Sequence, residues 1–318
     1  MNKQLLYEGK KIAYRVIGTG KAVVLIHGFG EDAAVWKNQV DFFKDKFRLI
    51  IPDLPGTGQS ELIDDMSMEG MAEVIKKIVD VEGSLPSERE APLLPEGKAP
   101  LPPEGGFSES SNKDMSLLVS ESKAPPSEGF GEAFSSGGRG ACILIGHSMG
   151  GYITMAFAEK YPDRLSGFGL FHSSAFADSE EKKATRLKGI AFINEQGPFE
   201  FLKTATPNLF SPQTKNERAG LIDEQVAAGH NFSARTLVSY YEAMIKRPDR
   251  TGILEKTRVP VLFIMGKYDN AVPMEDGLKQ CHLPGKSYIH VLQKSGHMGM
   301  LEETEKSNLA LENFLVEI

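Results

Sequence analysis

The run Ala141-Cys142-Ile143-Leu144-Ile145-Gly146-His147-Ser148-Met149-Gly150-Gly151 constrains this chain more than any other stretch. Its first five residues are apolar and predict a buried strand over 141–145, while Ile153, Ala156, Phe157 and Tyr161 recur at helical spacing over 151–161. The reversal between them has few residues to use, and Gly146 and Gly150 flank Ser148 within it. A Cβ at either glycine would strike the neighbouring strand or helix. G-x-S-x-G in a strand–turn–helix setting is a nucleophile elbow, a strained turn that holds a serine hydroxyl at the tip of a strand.

A serine hydroxyl is a poor nucleophile at neutral pH and needs an adjacent base, oriented in turn by a third group. On sheets that carry this elbow, the acid and the histidine follow the serine in that order. Residues 259–266 read as a buried strand running into Lys267-Tyr268-Asp269-Asn270, and residues 287–292 as another running into Ser295-Gly296-His297-Met298. Asp269 and His297 therefore stand just past the C-terminal ends of parallel strands, where open α/β sheets build their sites. Ser148, Asp269 and His297 are the expected nucleophile, orienting acid and general acid/base. Asp178, past the preceding strand, is the alternative acid. His290 falls within a strand, His282 and His230 read as surface residues, and His27 and His147 belong to other motifs upstream of the acid.

Acyl transfer also requires donors aimed at the developing oxyanion. One is the N–H of Met149, the residue after the nucleophile at the start of its helix. The other is expected from His27-Gly28-Phe29-Gly30, which follows the apolar strand 23–26. Its glycines let the backbone turn inward, so the N–H of Phe29 is the candidate. Phe29, His147, Met149 and Met298 adjoin or belong to these groups and are expected in the substrate pocket.

With these residues in place, the chain resembles the α/β-hydrolase superfamily, specifically its small single-domain serine enzymes with a helical cap. Pro52-Asp53-Leu54-Pro55-Gly56-Thr57-Gly58-Gln59-Ser60 is similar to that family's connection after the next strand, with Asp53 shaping a turn. The resemblance implies a triad, an oxyanion hole, no cofactor and no metal. It does not imply a substrate, because one fold hosts many chemistries.

The organisation agrees. A hairpin over 4–16 and strands at 23–26, 48–51, 141–145, 167–171, 260–265 and 287–292 alternate with helical patterns. That is an α/β chain with a mostly parallel eight-stranded sheet, helices on both faces and one domain over 1–318. Two excursions interrupt it. Residues 83–140 contain 8 Pro, 9 Gly and 11 Ser, with Pro92-Leu93-Leu94-Pro95-Glu96-Gly97 nearly repeated as Pro100-Leu101-Pro102-Pro103-Glu104-Gly105. Such a low-complexity insertion cannot bury enough apolar surface to offset its ordering entropy. It enters the N-terminal end of a strand, away from the expected site. Residues 176–256 form the expected cap, a series of helices broken at Gly197-Pro198, Pro207, Pro212 and Pro248. Its Phe192, Phe199, Phe201, Phe210, Phe232, Tyr240, Tyr241 and Met244 suggest an apolar pocket without a fixed cation.

A net charge of −7 and a pI near 5.6 argue against nucleic acid or an acidic membrane surface as partner. No charged leader and no apolar run of spanning length is seen, so the expectation is a cytoplasmic protein. Cys142 and Cys281 make neither a disulfide framework nor a metal site. The expected activity is hydrolysis of carboxylic esters of small to medium acids through an acyl-enzyme, with a small ester-like molecule as partner. Thioesterase, lactonase, C–C bond hydrolase and cofactor-free haloperoxidase or perhydrolase chemistry share the constellation, and a hydrolase-fold ligand receptor is the non-enzymatic alternative. Oligomeric state is not encoded in any of these features.

Overall fold

The computed structural model of the chain describes residues 1–83 and 141–318. The insertion expected over 83–140 lies outside the described residues except for Gly83.

Eight strands form a single sheet in the order β1-β2-β4-β3-β5-β6-β7-β8. They are β1 (Asn2–Tyr7), β2 (Lys10–Ile17), β3 (Ala22–Ile26), β4 (Arg48–Pro52), β5 (Cys142–His147), β6 (Leu165–Phe171), β7 (Val261–Gly266) and β8 (Ser287–Leu292). The hairpin β1–β2 is antiparallel and joins β4 antiparallel; every other pairing is parallel. Strands β3, β5 and β7 are almost wholly apolar because parallel strands covered on both faces bury both sets of side chains. Strand β8, at the sheet edge, is only partly buried.

Twelve α-helices are present among the described residues. Helices α1 (Lys37–Phe43), α2 (Met68–Gly83) and α3 (Met149–Lys160) accompany the first half of the sheet. Six more, α4 (Glu180–Gln196), α5 (Pro198–Ala205), α6 (Pro212–Glu217), α7 (Ala219–Ala228), α8 (Ala234–Lys246) and α9 (Thr251–Lys256), fill the excursion between β6 and β7. Helices α10 (Met274–Leu278), α11 (Gly299–Glu302) and α12 (Thr304–Glu317) complete the chain. One face of the sheet packs on α2 and α3 through Met71, Ile75, Ile78, Ile153 and Phe157. The other packs on α1 and α12 through Val40, Phe43, Leu311 and Phe314.

The strand order places the site. Strand β3 lies between β4 and β5, so successive connections leave it in opposite directions. A crevice opens at such a reversal beyond the C-terminal strand ends. The loop after β3 and the elbow after β5 are the two walls of that crevice.

The elbow depends on close backbone approach. A Cβ on Gly146 would overlap the backbone of Gly150 and Gly151, and one on Gly150 would lie 2.7 Å from the His27 carbonyl and closer still to that of Ile26. Gly150→Ala should therefore destabilise the fold by about 1–3 kcal/mol through overpacking. Gly220→Ala in α7, where an added Cβ meets nothing, should instead be neutral or stabilising by up to ~1 kcal/mol. Urea denaturation of the two variants beside the wild type checks the contrast.

Candidate active site

Ser148 follows the last residue of β5 and precedes the first of α3, with φ 50° and ψ −116°. Its N–H donates to the Phe171 carbonyl at 2.9 Å, and its carbonyl accepts from the Ser173 hydroxyl at 2.7 Å and the Gly151 N–H at 2.9 Å. The end of β6 and the loop just past it thus clamp the serine backbone on both sides. An imagined Cβ on Gly28 would come 3.1 Å from the Ser148 Cβ, so the backbone leading to Phe29 runs directly beside Ser148. The first N–H groups of a helix have no intrahelical acceptor, which leaves that of Met149 available at the same place.

Asp269 and His297 come together as expected from separate strand ends. His297 Nδ1 lies 2.8 Å from Asp269 Oδ2, and the other oxygen, Oδ1, accepts from the Ala271 and Val272 N–H groups at 2.8 Å each. His297 and Ser148 both face one cavity of about 850 Å³. With Nδ1 engaged by the acid, Nε2 of His297 is the nitrogen left for a serine proton. An arrangement of this kind can deprotonate a hydroxyl, stabilise an oxyanion beside it and reprotonate a leaving group.

A third residue at this acid escaped the sequence reading. His172, the residue after β6, places Nδ1 3.1 Å from the same Asp269 Oδ2, and its Nε2 accepts from the Gly299 N–H at 3.2 Å. A nitrogen that accepts carries no proton, so His172 is the neutral Nδ1–H tautomer and donates to Asp269. It has φ 50°, and Gly266 and Gly299 press so closely on its ring that a Cβ on either would collide with it. Burial drives the His172 imidazolium below the usual histidine range, with Asp269 opposing only in part. Burial would also raise Asp269, but the charge of His297 and the two imidazole hydrogen bonds overcome it and hold the carboxyl far below the usual range. The only signal in the sequence was position, a histidine at the C-terminal end of a parallel strand.

Ligating atoms of His172, Asp269 and His297 lie within 4.8 Å of one another, as a metal site would require. Both Nδ1 atoms instead converge on Oδ2, while Oδ1 and His172 Nε2 already have backbone partners. The grouping is accounted for by hydrogen bonds.

Asp178, the alternative acid, is committed elsewhere. Its oxygens meet Arg186 Nε at 2.6 Å and Arg247 at 2.9 Å. Burial favours its neutral form, yet the two guanidinium groups hold the carboxyl below the usual range. Arg247 also donates to the Phe176 and Met244 carbonyls and lies 3.8 Å over the Tyr152 ring.

Three pocket expectations need correction. His147, Met149 and Met298 do not line the cavity. Side chains alternate along β5, so His147 falls on the face of Ile143 and Ile145, where its ring sits edge-on to Trp36 and Phe171. Met298, just before α11, is 1% exposed and turns into the same apolar layer. The Met149 side chain is fully buried in the apolar layer beneath α2 and α3. Phe29 does line the cavity, stacked on Tyr241 with centroids 4.3 Å apart. Of the eight apolar residues expected from 176–256, Tyr241 and Met244 reach the cavity wall. The wall is also less apolar than expected, because Asp178, Lys182, Arg186, Arg247 and Lys279 contribute to it.

The profile of the alpha/beta hydrolase family matches residues 23–306. The chain belongs to the alpha/beta hydrolase family. It is 24% identical over 316 residues to a 2-hydroxy-6-oxononadienedioate/2-hydroxy-6-oxononatrienedioate hydrolase of Burkholderia vietnamiensis, covering 96% of this chain and 91% of that one. Identity to the 2-hydroxy-6-oxo-6-phenylhexa-2,4-dienoate hydrolase of Comamonas testosteroni is 23%, with the same shares covered. Among solved structures, a malate-bound thermophilic esterase from Thermogutta terrifontis superposes with a TM-score of 0.77 at 25% identity, covering 100% of this chain and 98% of that one. In this member of the family no helix among the described residues is long and apolar enough to cross a membrane.

If His172 acts only by holding Asp269, His172→Asn should keep a donor near Oδ2 and lose activity modestly, about 10-fold or less. Asp269→Asn replaces a carboxylate oxygen with an amide donor, which would favour the other His297 tautomer, and should lower kcat by about 10⁴ if the triad operates. Steady-state kinetics on one chromogenic ester compares them directly.

Proposed function

We propose that the chain is a serine hydrolase cleaving carboxylic esters of small to medium acids through an acyl-enzyme. The observation that carries this reading is Ser148, strained at the elbow and sharing a cavity with a His297 that Asp269 orients. Ser148 attacks the ester carbonyl as His297 takes its proton. The oxyanion forms between the N–H groups of Phe29 and Met149, and His297 then protonates the departing alcohol. Water, activated by the same histidine, releases the acid. A cavity near 850 Å³ is within the range that encloses such molecules. The helices of 176–256, with Tyr241 and Met244 on the wall, serve as its cap.

A second reading is hydrolysis of a C–C bond, and a specific observation favours it. Two guanidinium groups, Arg186 and Arg247, share the single carboxylate of Asp178 at the cavity wall. That excess suits a substrate bearing its own carboxylate, and the Burkholderia and Comamonas relatives are named for dioate and dienoate substrates. The ester reading stands first because an alkoxide leaves with one proton from His297. A carbon leaving group additionally needs a neighbouring carbonyl to hold its electron pair.

Hydrolysis of p-nitrophenyl esters from acetate to dodecanoate, beside a 2-hydroxy-6-oxo-dienoate, decides between them. Multiple turnover of the short esters, reduced by at least about 10³ in Ser148→Ala, is the expected result. A kcat/KM for the dienoate that exceeds every ester would favour carbon–carbon cleavage. A folded wild type that turns over neither class would point to a ligand receptor.

A further inference from the structure

Behind the proposed triad lies a second buried pair that this reading leaves unused. Glu31, in the loop after β3, accepts the Gly28 N–H at 2.8 Å through Oε2, and the same oxygen lies 3.0 Å from His147 Nδ1. The opposite ring nitrogen, His147 Nε2, lies 2.9 Å from the backbone carbonyl of His297. The side chains are 0% and 6% exposed for His147 and Glu31.

Both nitrogens of the His147 ring therefore face oxygens. A carbonyl can only accept, and Glu31 Oε2 already accepts a backbone N–H, so it is placed to accept a second time. Each ring nitrogen must supply the proton of its own bond, and an imidazole with two N–H groups is a cation. Burial by itself disfavours that cation, but the Glu31 carboxylate outweighs burial and raises the imidazolium above the usual histidine range. Glu31 moves the opposite way, below the usual carboxylate range, against its own burial. Besides Glu31 and the His297 carbonyl, the titratable groups facing His147 are the rings of His297 and His172, with centroids at 4.9 and 6.0 Å, and the more distant Asp269 carboxylate. His27 faces Glu31 from behind the loop.

We propose that Glu31 and His147 are positioning residues, a lasting carboxylate–imidazolium pair that fastens the oxyanion loop and the backbone of His297 to the nucleophile elbow. The proposal rests on the reading of Ser148 as nucleophile. Three loops meet at the pair. Glu31 grips the amide of Gly28, one residue before the proposed donor Phe29. His147 is bonded in the chain to Ser148. Its Nε2–H holds the backbone of the residue that must deliver and take the proton. Gly28 closes over the pair so tightly that a Cβ there would lie 3.0 Å from His147 Nδ1 and 3.1 Å from Glu31 Oε2. Small displacements of aligned groups are costly, about 100-fold in rate for ~1 Å. Releasing Glu31 would free the Gly28 amide to rotate and misdirect the donor beside it.

The test has two arms. In full-length protein labelled with ¹⁵N-histidine, and with His147→Gln used to assign the signals, His147 should show two protonated ring nitrogens from pH 6 to 8. A bare ring nitrogen on His147 at pH 7 overturns the pair, whatever the enzyme hydrolyses. In the second arm, Glu31→Gln and His147→Gln are assayed on p-nitrophenyl acetate. Each should lower kcat by about 10- to 100-fold with KM changed less than about threefold, and the double variant should be no worse than the poorer single within about twofold. Unchanged kcat, or losses that multiply, would overturn the positioning role. If the variants do not fold, the wild-type spectra decide. If wild-type protein hydrolyses no ester, the nucleophile reading fails while the spectra still report on the pair.

Discussion

Ser148 is held at φ 50°, a conformation that costs a residue with a side chain about 1–3 kcal/mol unless its surroundings enforce it. Most of the architecture near the site follows from that enforcement. The Phe171 carbonyl and the Ser173 hydroxyl grip the serine backbone from β6. The Ile26 and His27 carbonyls press on Gly150 from β3. Strand β5 is thus flanked by the two strands that restrain its tip, and the sheet order places them there. The loop that carries Phe29, the proposed second oxyanion donor, leaves β3 at the same point, so one packing requirement serves both the strain and the proposed chemistry.

Much of this was legible in the sequence because it is encoded locally. The elbow writes itself as an apolar run, two glycines and a helical repeat. Asp269 and His297 each follow a recognisable strand by only a few residues. What could not be read depends on which separate segments meet. His172 gains meaning only beside Asp269, 97 residues away. Glu31 gains it beside His147, 116 residues away. The misplacement of His147 is instructive, since strand alternation along Ile143, Ile145 and His147 already pointed it away from the cavity. Adjacency to Ser148 in the chain was mistaken for adjacency in space.

Pocket polarity was misread for a related reason. Arg186 on α4 and Arg247 after α8 belong to segments whose charges resemble a solvated face. Only tertiary packing brings both onto Asp178, and a carboxylate shared by two guanidinium groups is stable at depth where a lone charge is not. The same packing removes Asp178 from candidacy as the triad acid. On the proposed function, strain at the serine serves the reaction and charge at the wall narrows what enters.

Three neighbouring histidines, His147, His172 and His297, illustrate how partners assign roles to identical side chains. Their rings lie 4.9 to 6.0 Å apart, too close for three cations. His172 is neutral because one of its nitrogens accepts a backbone N–H while the other donates to Asp269. His147 faces an acceptor on each side and sits against Glu31, so it is the fixed cation. Both are closed off from the cavity, each with its two nitrogens engaged. His297 spends only Nδ1 on Asp269 and reaches the cavity wall. On the proposed mechanism the proton moves through His297, while the partners of its two neighbours stay fixed. That separation of two engaged imidazoles from one that faces the cavity is what the proposed general acid and base needs, and it arises from hydrogen-bond partners rather than from any property of the residue itself.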